Sequence, residues 1–145
     1  MPIKIEIHET PVPWTASRIS SRGKWDPRGK NKITSKWLVK IALQKIEASV
    51  PLHGYIVLSM VFYEPIPAST PKSKRAGMLD GSIRPTRCDT TNLQKYYEDC
   101  LKNILFDDDR FVVKNISEKL YADKGKILIT VFSLEEYRKF YEDSF

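Results

Sequence analysis

The residues in this chain best suited to chemistry lie between Asp89 and Asp109. Asp89 stands just before a segment with helical periodicity. Asn92, Lys95 and Asp99 follow at spacings of three and four, which puts them on one polar helix face. Asp107, Asp108 and Asp109 then cluster directly after that helix. Carboxylates without histidine or thiolate partners suit hard ions, Mg²⁺ first and Mn²⁺ as a possible substitute. In phosphodiester hydrolysis such an ion orients the phosphate, activates water and stabilises the leaving oxygen. Lys95 could neutralise charge on a pentacovalent phosphate, and Asn92 could donate a hydrogen bond to a ligand carboxylate. The competing reading is a solvated acidic turn after a helix. A helix of about thirteen residues is roughly 20 Å long, so Asp89 and Asp109 can share an ion only if the turn folds back along it.

The elements that must position these residues are legible from periodicity. Ile3, Ile5 and Ile7 alternate with polar residues, as in a half-buried strand. Residues 34–48 read as a helix capped by Thr34 or Ser35, with Trp37, Leu38, Ile41, Ala42 and Ile46 facing inward. Tyr55–Tyr63, rich in β-branched and aromatic residues, reads as a central strand. Thr90 or Thr91 caps the helix from Asn92 to about Ile104, whose apolar face is Leu93, Tyr97, Cys100, Leu101 and Ile104. Residues 111–122 and 126–133 read as a hairpin turning at Asp123-Lys124-Gly125. Leu134 to Asp143 reads as a short amphipathic helix. The expected fold is α+β: a small mixed sheet with a C-terminal hairpin and two to three helices, in a single domain over residues 1–145.

Two irregular segments, about 9–33 and 64–88, carry much of the charge. Residues 1–40 hold nine Lys/Arg against three acids, and residues 64–88 hold five against two. Residues 89–145 reverse the sign, with nine against twelve. Basic segments feeding an acidic centre point to a polyanionic partner. Arg18, Arg22, Lys24, Arg28, Lys30 and Lys32, interleaved with Trp14 and Trp25, form one candidate phosphate-gripping loop. Lys72, Lys74, Arg75 and Arg87 form the second.

Other chemistries are poorly supplied. Two cysteines and two histidines, Cys88, Cys100, His8 and His53, offer no usual zinc spacing and suggest free thiols. There is no G-x-S-x-G setting, no P-loop and no dinucleotide fingerprint, so no small-molecule substrate is expected. The longest apolar stretch, Tyr55–Tyr63, is nine residues, short of a membrane span, and no signal-peptide core is present. The expected location is cytoplasmic.

The stretch from Arg87-Cys88-Asp89-Thr90-Thr91-Asn92-Leu93-Gln94-Lys95 through Glu98-Asp99-Cys100-Leu101 to Phe106-Asp107-Asp108-Asp109-Arg110-Phe111 resembles the RusA-like Holliday junction resolvases. That family's pattern runs K/R-P-D-x-D-N-L-x-K, then D-A-L on the helix, then D-D-x-Q-V. Phe62 to Ala76, and Lys119 on the later strand, also resemble phage-type members. The resemblance covers about residues 54–132. It implies a homodimeric, metal-dependent endonuclease acting on branched DNA. It implies Asp89 as the first metal-binding aspartate, Lys95 as the catalytic lysine and Asn92 as the motif asparagine. It also implies Asp108 and Asp109 as the acidic pair and Asp99 as the helix aspartate, with a structural role as open as ligation. Three positions depart from the pattern: Cys88 replaces proline, Phe111 replaces glutamine, and Thr91 replaces the second motif aspartate. Thr91 leaves three outcomes open. It coordinates weakly or through water, or Asp107 or Asp108 supplies the missing charge, or the chain binds branched DNA with impaired cleavage. The aromatic C-terminal segment (Tyr137, Phe140, Tyr141, Phe145) is a candidate dimer surface, set against simple packing on its own sheet.

Overall fold

In the structure, a computed structural model describing residues 2–141, the longest apolar strand organises everything else. β1 (Ile3–Ile7), β4 (Ile56–Pro65), β5 (Val112–Ala122) and β6 (Lys126–Ser133) form one sheet in the order β1-β6-β4-β5, while β2 (Arg18–Ser20) and β3 (Gly23–Trp25) pair as a separate short ribbon. β6 runs antiparallel to both β1 and β4, and β5 runs parallel to β4, so the sheet is mixed as expected. On one face Ile56, Leu58, Met60 and Phe62 meet Ile5, Ile7, Ile129 and the helices α1 (Gly29–Gln44) and α3 (Thr90–Leu101). On the other, Val57 and Phe132 are covered by Tyr137 of α4 (Leu134–Tyr141). With α2 (Lys72–Leu79) there are four α-helices among the described residues, against the two to three expected.

The expected C-terminal hairpin is not formed. β5 and β6 follow each other in the chain, yet β4 lies between them and pairs with both, Met60 opposite Ser117 on one side and Ile129 on the other. β4 is buried along most of its length and needs both edges hydrogen-bonded, a requirement two flanking strands meet. Gly125 serves the crossing for a reason other than hairpin geometry. A Cβ there would lie 2.7 Å from Thr10 Cα and 2.9 Å from Glu9 O, so the glycine admits a close backbone approach.

α1 starts five residues before the expected cap. Asp26 accepts hydrogen bonds from Arg28 N (2.8 Å) and Lys32 Nζ (2.9 Å), and this turn launches the helix at Gly29. Ser35 caps nothing. It is fully buried, its Oγ 2.7 Å from Glu9 Oε2 and 2.8 Å from Tyr96 OH. With Ser35, Val39 and Ala42 setting the inward phase, Trp37 falls on the opposite side and is 64% exposed, correcting its expected core position. Tyr97 OH also donates to Glu9 Oε2 (2.8 Å), so one carboxylate joins the end of β1 to both α1 and α3.

α4 matches its expected start and is described as far as Tyr141; the expected extension to Asp143, and Phe145, lie outside the described residues. Tyr137 packs on Phe132 at 5.4 Å between ring centroids, whereas Phe140 and Tyr141 are exposed.

Candidate active site

The site residues divide between the two ends of α3. Its inward face (Leu93, Tyr96, Tyr97, Cys100, Leu101) repeats at helical spacing and fixes which side chains point out. The helix begins at Thr90, with Asp89 at the N-cap position. The Asp89 carboxylate makes no hydrogen bond to its own helix and is exposed, as is Thr91. Asn92 is held through its backbone, its carbonyl accepting from Trp14 N at 2.9 Å.

β5 brings Lys119 to this end. Lys119 Nζ donates to Cys88 O at 2.7 Å, one peptide from Asp89. Arg84 braces the strand there, donating to Glu118 Oε1 (2.7 Å) and Lys119 O (2.9 Å). Arg87 is committed elsewhere. Its guanidinium holds Glu64 through two nitrogens (2.7 and 3.3 Å) and donates to Pro11 O at 2.9 Å. Glu64 is only 5% exposed, so this pair is a structural ion pair.

Midway along α3, Lys95 Nζ lies 3.6 Å from the centroid of the Trp14 ring. The far end gathers carboxylates. The Asp108 side chain accepts from Arg110 N at 3.2 Å, forming the 3-10 turn Asp109–Phe111. A hydrogen bond between Asp108 and Asp109 holds the first carboxyl below, and the second above, the usual carboxylate range. Glu98 is also raised, chiefly by burial, with the charges of Asp109 and Asp99 adding to it. Asp99 is 3.8 Å from Lys32 of α1, which also pairs with Asp26 at 2.9 Å. Asp107 is turned away from this group, its Oδ2 2.7 Å from His53 Nδ1.

The structure therefore brings together Glu98, Asp99, Asp108 and Asp109, and leaves Asp89 at the other end of a twelve-residue helix. At about 1.5 Å per residue that helix is roughly 18 Å long. Among the described residues no three His, Cys, Asp or Glu side chains are placed to share one ion, so the single chain forms no closed cation cage. Glu98 was not singled out by the sequence, although it stands beside Asp99 in the motif. Lys32 was expected to grip phosphate, and only the packing of α1 on α3 reveals its contact with Asp99.

The basic residues divide as well. Arg22, Lys24, Lys30, Lys72 and Lys74 are exposed, and Arg18 lies 5.7 Å from the Trp25 ring. Arg28 donates to Thr15 Oγ1 at 3.2 Å. Arg75 pairs with Asp123 and Arg87 with Glu64, so these two are engaged within the protein. Neither basic segment is irregular throughout: the first contains β2, β3 and the start of α1, the second α2.

Residues 9–132 match the model of the family described as Endodeoxyribonuclease RusA. No curated protein matches the chain.

Proposed function

Because the chain belongs to the RusA endodeoxyribonuclease family, a family of nucleases that act on Holliday junctions, we propose that it resolves Holliday junctions or other branched DNA in recombination and repair. The observation that carries this reading is the contact between the carboxylate cluster and the lysine-bearing helix, Asp99 to Lys32 at 3.8 Å. Basic surface for phosphates and acidic groups for chemistry then adjoin within one domain, taken as residues 1–145. Members of the family generally need a divalent metal, and the oxygen-only donors of Asp89, Asp108 and Asp109 suit Mg²⁺, with Mn²⁺ as a substitute. On this reading Asp89 and Asp109, at opposite ends of α3, are metal-binding carboxylates that do not share one ion within a single chain, and Asp108 assists at the second. Lys95 contacts the scissile phosphate, and Asn92 and Asp99 support the ligands. Arg18, Arg22, Lys24, Lys30, Lys72 and Lys74 bind junction arms. Symmetric resolution takes two active sites related by a two-fold axis, hence a homodimer.

A second reading has a specific observation behind it: Thr91 is an exposed neutral hydroxyl at the end of α3 that carries Asp89, and among the described residues no group of three ligands forms there. The chain would then bind branched DNA with impaired cleavage. Both readings are tested on a labelled synthetic four-way junction, with linear duplex as control, in Mg²⁺ and then Mn²⁺. Paired nicks abolished by Asp89→Asn or Asp109→Asn support the nuclease. Junction binding with no cut in either metal supports the impaired form. Indifference to branched structure overturns both.

A further inference from the structure

The outward face of α1 is unusual for a solvated helix. Ile33 and Trp37, one turn apart, are 72% and 64% exposed, and they line a shallow cavity of about 480 Å³ together with Thr34, Lys36 and Lys40. The helix carries Lys30, Lys32, Lys36 and Lys40 and no acid. Its inward phase is already satisfied by Ser35, Val39 and Ala42, so folding does not require an aromatic residue on the other side. We infer that this face is a binding platform for unpaired nucleotides of branched DNA, on which Trp37 stacks a base while Lys36 and Lys40 hold the flanking phosphates. The inference rests on the branched-DNA reading above and deepens it.

Three observations favour this occupant. An indole flanked by lysines is the combination that binds single strands without sequence preference, because every base has a π-face and every linkage a charge. A second copy of the chain is disfavoured, since a two-fold contact through this face would set its lysines against the same lysines. The platform also lies near the carboxylate cluster. Lys32, which contacts Asp99, precedes Trp37 by five residues on the same helix, roughly 8 Å along the axis and about 140° around it.

The test measures binding of two probes, a twelve-residue single-stranded thymidine oligonucleotide and a synthetic four-way junction carrying a short unpaired thymidine gap at its centre. The proteins are wild type, Trp37→Ala, Trp37→Phe and the double variant Lys36→Gln/Lys40→Gln. Circular dichroism checks the fold, and sedimentation reads the oligomeric state. Trp37→Ala is expected to weaken both probes by roughly five- to a hundredfold, with Trp37→Phe retaining most of the affinity. The double lysine variant should flatten the slope of log affinity against log salt on the oligonucleotide by about 0.7 per lysine. Wild-type junction binding that ignores Trp37→Ala overturns this inference and leaves the branched-DNA reading intact. Trp37-dependent oligonucleotide binding without preference for the junction keeps the stacking role of Trp37 but overturns the branched-DNA reading and, with it, branched DNA as the occupant of the platform. Binding of neither probe overturns both. Loss of a wild-type dimer in Trp37→Ala overturns the platform in favour of an interface between copies.

Discussion

Lys95 Nζ stands 3.6 Å from the centroid of the Trp14 indole, and the backbone N–H of Trp14 donates to Asn92 O at 2.9 Å. The segment after β1 is thus clamped to α3, and the motif lysine is held over a ring instead of ranging through solvent. A cation–π contact at a partly exposed site contributes about 0.5–1 kcal/mol. Trp14→Ala is expected to slow single-turnover junction cleavage several-fold, with Trp14→Phe close to wild type. Wild-type rates in Trp14→Ala would remove the indole from the account.

Arg87 substitutions should report on stability before DNA binding. Removing one partner of a buried pair leaves the other charge uncompensated, at about 3–5 kcal/mol, and Glu64 is the buried partner here. Because the Arg87 side chain is about half exposed, the lower end applies. Urea unfolding of Arg87→Ala should show that loss, and Arg87→Ala/Glu64→Gln should recover much of it. Equal stability of the two variants would contradict the pairing.

Asp109 is raised chiefly by its hydrogen bond to Asp108 and Glu98 chiefly by burial, and the charges of neighbouring carboxylates add to both shifts. In metal-free buffer at neutral pH, Asp109→Asn should melt above wild type. Adding Mg²⁺ or Mn²⁺ should raise the wild-type Tm and leave the variant nearly unmoved. A metal-induced shift of the same size in both proteins would exclude Asp109 from the binding site.

Burial pushes the Cys100 thiol up to about 12, far above the ordinary cysteine range near 8.5. The folded chain keeps this proton while the unfolded chain releases it. Stability from this group is therefore complete below about pH 8.5 and is lost as pH rises through the folded value. Tyr97, also raised by burial, acts in the same direction. Thermal melts between pH 8 and 11 should show a falling Tm, less steep in Cys100→Ala. Native alkylation at pH 8 should modify the half-buried Cys88 and spare Cys100. Equal labelling of both thiols would argue against the packing of α3.

Gly125→Ala forces a methyl against the Glu9–Thr10 backbone, which cannot rotate away as a side chain could. Overpacking of this kind costs about 1–3 kcal/mol. A melt indistinguishable from wild type would mean that the crossing from β5 to β6 has room the structure does not show.

The family signature, the α+β class, the β1 alternation and the inward face of α3 were all legible because each is written in residues close together in the chain. Leu93, Tyr97, Cys100 and Leu101 repeat at helical spacing, and that period is enough to choose the buried side. The phase of α1 was misread for want of a partner. Nothing local says that Ser35 turns inward to meet Glu9 and Tyr96, and that one polar network sends Trp37 outward. Strand order was equally hidden, since Asp123-Lys124-Gly125 resembles a hairpin turn until β4 competes for both neighbours. By itself, then, the sequence determined which residues could do chemistry: Asp89, Lys95, Asp99, Asp108 and Asp109. Only the tertiary structure decided which of them meet. A helix keeps its two ends apart by its own length, and it was the return of the chain at Asp107–Asp109 that joined the acidic turn to Glu98 and Asp99 and left Asp89 beside Lys119.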